Sequence, residues 1–83
     1  MEIRLLTKNE MEIIFIFPST NCHEEISYLC RQCLETRIYF EMYSVPNQSS
    51  AIVILRAFNT SQKAELRSIG ESFKAKFPNI KIN

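Results

Sequence analysis

Glu12-Ile13-Ile14-Phe15-Ile16-Phe17, closed by Pro18, is the stretch that decides the fold. A run of β-branched and aromatic residues ended by a proline predicts a strand covered on both faces. Immediately downstream, Ser19-Thr20-Asn21 leads into a helical pattern, and Asn21 with Glu24 has the spacing of a capping box. Cys22, Ile26, Leu29, Cys30 and Cys33 recur at three- and four-residue steps, so they form one apolar stripe on a helix running to about Thr36. Arg37 to Val45 alternates again, and the polar link 46–50 passes into Ala51 to Phe58, which predicts two consecutive strands.

Asn59 and Gln62 repeat the cap spacing before a second helix of roughly 61–76, with Ala64, Leu66, Ile69, Phe73 and Phe77 as its stripe and Pro78 as its stop. Gly70, the only glycine in the chain, lies inside this helix and implies close approach of a neighbouring backbone. Asn79 to Asn83 alternates as a short last strand. Upstream of the deciding run, Glu2 to Leu6 alternates as a half-exposed edge strand, and Thr7-Lys8-Asn9-Glu10 reads as its turn.

The order strand, helix, strand, strand, helix, strand predicts an α+β, ferredoxin-like split βαβ domain over residues 1–83. This is a two-layer sandwich of an antiparallel sheet with two helices on one face. The additional strand at 2–6 must lie at an edge, cover a face, or displace the short last strand. A β-grasp variant opening with a hairpin is the structural alternative.

Side chains alternate along a strand, so charges reveal which set meets water. Glu12, Glu41 and Arg56 assign Ile14, Ile16, Tyr39, Tyr43, Ile52, Ile54, Arg56 and Phe58 to an open face. Ile13, Phe15, Phe17, Ile38, Phe40, Met42, Ala51, Val53 and Leu55 then face the helices. An apolar face of that extent is unusual on a monomer. It predicts a homodimer packed sheet to sheet or docking onto a heterologous protein, unless residues 1–10 fold across it.

The charge balance, ten Lys+Arg against nine Asp+Glu, gives no field that would drive the chain onto nucleic acid. Lys63, Arg67 and Lys74 do share a face of the second helix and form a candidate phosphate-binding stripe, interrupted by Glu65 and Glu71. Single-strand RNA readers of this architecture stack bases on aromatics of the two central strands, but those positions here are isoleucines.

Catalytic sets are equally thin. The chain has no Asp, and its single histidine, His23, has no nucleophile paired with it in sequence. Glu24 and Glu25 lie where a helix dipole favours anions. Cys30-x-x-Cys33 falls in mid-helix on the apolar stripe, which argues for core thiols rather than a redox pair or a metal site. No enzyme activity, cofactor or metal is expected. Three cysteines without a signal peptide suit a reducing, cytoplasmic setting, and no segment approaches the roughly 20 apolar residues of a membrane span.

In element order the chain is similar to small regulatory modules of the ACT type. That resemblance implies pairing of protomers and a small effector bound between them, although the turn Phe17-Pro18-Ser19-Thr20 lacks the glycine usual in such modules. The functional expectation is a protein-binding module that regulates or inhibits a larger partner. Its size and surface suit an accessory protein of a phage or mobile element acting on a host complex.

Overall fold

The computed structural model describes residues 2–44 and 49–82. Its elements are β1 (Arg4–Asn9), β2 (Glu12–Phe17), α1 (His23–Thr36), β3 (Tyr39–Ser44), β4 (Ala51–Arg56), α2 (Thr60–Lys76) and β5 (Lys81–Ile82). Five strands form one sheet in the order β3-β4-β2-β1-β5. β2 pairs antiparallel with both β4 and β1, β3 pairs antiparallel with β4, and β5 runs parallel to β1. This is the ferredoxin-like split βαβ arrangement with one strand added. The β-grasp alternative is set aside because its central strands are parallel, whereas β2 and β4 are antiparallel.

The added strand does not lie at the edge. It takes the free side of β2 and displaces β5 outward, the third of the arrangements open to it. Chain closure explains the outcome. β1 reaches β2 through a two-residue turn at Glu10 and Met11, while β5 arrives only after both helices, and the entropic cost of closure rises with the length of the loop. The strand also runs on through Thr7, Lys8 and Asn9, where polar character alone predicts a turn. The backbone N–H of Met11 donates to Asn9 Oδ1 at 2.7 Å, so the turn begins at Glu10, three residues later than Thr7.

One core joins the sheet to the helices. Ile13, Phe15 and Phe17 of β2 and Ala51, Val53 and Leu55 of β4 are buried against Leu29 and Cys33 of α1 and Leu66, Ile69 and Phe73 of α2. Phe73 stands edge-on to Phe15 with ring centroids 4.9 Å apart. Full burial of a phenylalanine contributes about 1.5–3 kcal/mol relative to exposure, so the three buried rings of Phe15, Phe17 and Phe73 anchor a domain of small margin.

Several local expectations need correction. Met42 faces the helix side but is 49% exposed, because β3 is an outer strand whose far end has no helix above it. Ala64 is exposed rather than part of the α2 stripe. The N-cap of α1 is Cys22, without a side-chain cap, because Asn21 is drawn into a turn in which its own N–H donates to Ser19 Oγ at 3.0 Å. Asn59 does cap α2, accepting from the Gln62 N–H at 2.9 Å, while Gln62 Oε1 accepts from the Phe58 N–H. Arg37 is left-handed, with φ 58°, and closes α1, so β3 begins at Tyr39. Ala57 and Phe58 leave the ladder beyond Arg56. No neighbouring backbone crowds Gly70: a Cβ placed there would meet only Ile13 Cδ1, at 3.7 Å. Val45 and Asn83, read as strand ends, and the link positions 46–48 lie outside the described residues.

Candidate functional site: the open sheet face

The face of the sheet turned away from the helices carries the predicted interface residues, and strand register arranges them in rows. Leu6, Ile14, Ile54 and Glu41 stand side by side across β1, β2, β4 and β3. The next row is Arg4, Ile16, Ile52 and Tyr43, and the third is Glu12, Arg56 and Tyr39. Alternation therefore resolves as expected: Ile14, Ile16, Ile52 and Ile54 are half-buried, covered only by one another and their neighbours. Residues 2–10 do not fold across this face. They widen it, because β1 adds Leu6 to the apolar field.

Aromatic side chains line the β3 margin. Tyr39 is 46% exposed, Tyr43 50% and Phe58 65%. Phe58 remains part of the face although its backbone has left β4, because its ring meets Tyr39 edge-on at 5.7 Å. On the opposite margin Arg4 on β1 is directly opposed to Lys81 on β5, and Lys81 Nζ lies 3.7 Å from Glu2 Oε1.

One polar network crosses the apolar field. Arg56 Nε donates to Glu12 Oε2 at 2.9 Å and its Nη1 donates to Glu41 Oε1, while the Tyr39 hydroxyl donates to Glu41 Oε2 at 2.9 Å. The Tyr39 hydroxyl, with Arg56 and Tyr43 adding to it, holds the Glu41 carboxyl below the usual carboxylate range. Glu41 in turn pushes both tyrosine hydroxyls up, so they stay protonated donors at neutral pH. The charges of Glu12, Glu41 and Arg56 were legible as markers of an outward face. Their mutual pairing follows only from register, which sets Glu12 against Arg56 and Arg56 against Tyr39.

The three candidate phosphate-binding residues lie elsewhere, on the helix side. Lys63, Arg67 and Lys74 line one cleft between α2 and the β1–β2 hairpin. Lys63 Nζ is 2.9 Å from Glu10 Oε2 and Lys74 Nζ is 3.3 Å from Glu71 Oε1, so two of the three cations already have carboxylate partners. His23 is exposed in the first turn of α1. Cys22 and Cys33 are buried and Cys30 is half-buried, as core thiols would be. Burial, with Cys30 alongside, pushes the Cys33 thiol up to about 12. Among the described residues no three His, Cys, Asp or Glu side chains gather as a metal site, and no helix is long and apolar enough to cross a membrane.

Comparison with protein-family models, curated proteins and solved structures found no match. The functional reading therefore rests on the geometry of the two faces.

Proposed function

We propose that the chain is a non-enzymatic protein-binding module whose open sheet face docks onto a second copy of itself. The observation that carries this reading is the continuous field of Leu6, Ile14, Ile16, Ile52 and Ile54, bordered by Tyr39, Tyr43 and Phe58. Contiguous apolar surface of this kind marks an interaction site. A domain this small also gains stability from association.

Self-docking is favoured over a foreign occupant by the pattern of the margins. The margins differ: Arg4 and the Lys81–Glu2 pair lie on one side, two tyrosines and the Glu41–Arg56 pair on the other. A two-fold axis parallel to the strands lays the Arg4 and Lys81 margin of each copy over the tyrosine margin of its partner, so apolar and aromatic surface meets its like while the Glu2–Lys81 and Glu41–Arg56 pairs stay satisfied within each chain. The pair would leave both helix layers free to meet the larger protein that it regulates or inhibits, consistent with an accessory role for a phage or mobile element. Single-strand RNA binding has less support, because the stacking positions on β2 and β4 are isoleucines and two of the three helix cations are paired.

Ile54→Glu tests the reading. In the separated chain the new carboxylate sits beside Glu41 on a solvent-facing row, a like-charge neighbour that costs no more than about 1 kcal/mol. In the pair it is buried without a partner, which weakens association by roughly a hundredfold or more. Sedimentation together with circular dichroism should show a folded chain of half the mass. An unchanged mass in a folded variant would place the contact on another face.

A further inference from the structure

We infer that the cleft between α2 and the β1–β2 hairpin is a binding site for a small aliphatic carboxylate, an apolar body with one anionic head group. The cleft has a volume of about 650 Å³, within the range of small-molecule sites, and it lies on the opposite side of the sheet from the face assigned to docking. Its origin is a mismatch between layers. Two helices about 10 Å across cover four strands spaced about 4.8 Å apart, and the inserted β1 widens the sheet beyond what they span. Thr7 therefore alternates onto the helix side of β1 together with buried Leu5, and Asn9, beyond a register shift that sets it opposite Glu12, also lines the cleft; both stay exposed.

The floor is apolar, made by the buried side chains of Leu5, Ile13 and Leu66. Gly70 completes it, and the fold gives no other reason for a glycine there. Its φ is not positive, so the backbone does not require it, and an added Cβ would make only an ordinary contact with Ile13. Glycine is among the poorest residues in a helix interior. What the missing side chain does achieve is depth: Gly70 is itself buried at the bottom of the cleft, and a large side chain there would rise into it.

The rim supplies the head-group partner. Lys63 is paired with Glu10 and Lys74 with Glu71, and Arg67 lies between them with no salt bridge of its own among the described residues, although its charge also acts on Glu10. Three cations against two carboxylates give the cleft one net positive charge, and a guanidinium is the group that matches a carboxylate with two parallel hydrogen bonds. A ligand with an apolar chain and one carboxylate satisfies floor and rim together.

The test is a titration of the isotope-labelled full chain with octanoate, followed by amide NMR shifts, with 1-octanol and inorganic phosphate as controls. Octanoate should saturably shift the signals of Leu5, Ile13 and residues 63–74. Binding should weaken by about tenfold for 1-octanol and for octanoate with Arg67→Gln, a surface change that leaves the fold intact. Gly70→Leu, which fills the floor, should abolish the shifts, and Arg67→Gln decides the matter if that variant does not fold. The proposal is overturned by shifts confined to Ile14 and Ile54 on the open face, by no saturable shift, by phosphate binding as well as octanoate, or by undiminished binding with Arg67→Gln.

Discussion

Cys33 shows how burial fixes the chemistry of a single residue. Its thiol, pushed up to about 12 from an ordinary 9.0, stays protonated across the physiological range and is a poor nucleophile. Iodoacetamide at neutral to mildly alkaline pH should therefore leave Cys33 unmodified in the folded chain and label it in urea. Rapid native labelling, read by peptide mass, would contradict its place in the core. The shift also sets a pH dependence. The folded-state value is raised, so the stability this group contributes is fully present below about pH 9.0 and is lost as pH climbs toward 12. Tyr39 and Tyr43, raised by Glu41, act in the same direction, and urea midpoints should fall through that alkaline window. Gly70 carries the opposite expectation: Gly70→Ala should stabilise the chain by about 0.5–1 kcal/mol, because a helix-interior glycine is replaced where a methyl group meets only Ile13 at contact distance. A lowered melting temperature would mean that this space is not open.

Among the elements, the two helix starts separate what sequence spacing reveals from what it hides. Both Asn21/Glu24 and Asn59/Gln62 carry the cap pattern, yet only Asn59 accepts a bond from its helix. Asn59→Ala should cost about 1 kcal/mol and Asn21→Ala less than about 0.5 kcal/mol in chemical denaturation. Equal losses would mean that Asn21 caps α1 in solution. The core strands β2 and β4 were legible because each is a β-branched and aliphatic or aromatic run whose single charge, Glu12 or Arg56, marks the outward set, although β4 stops two residues short of Phe58. Met42 misled because alternation gives the side of the sheet and not how far the helix layer extends above it. The place of β1 was not legible either, since competition for the free edge of β2 depends on loop length rather than on side-chain pattern. That insertion has two consequences invisible in the sequence, the addition of Leu6 to the open face and the cleft beside α2.

At the scale of the whole molecule, the sheet divides a helix-covered side from an open side, and the proposed docking and ligand sites fall on opposite sides of it. One side buries the core under α1 and α2 and leaves a charged cleft. The other presents the isoleucine and tyrosine field, whose unlike margins suit a two-fold pair. Aliphatic contact should hold that pair together while the Glu2–Lys81 and Glu41–Arg56 pairs stay within each chain, so salt should weaken it only modestly. Light scattering over a concentration series at two salt concentrations tests this most directly. The account predicts a stable mass of about 19 kDa, twice the 9.7 kDa chain mass, at both salt concentrations. A mass that stays at 9.7 kDa as concentration rises would contradict self-docking through the open face.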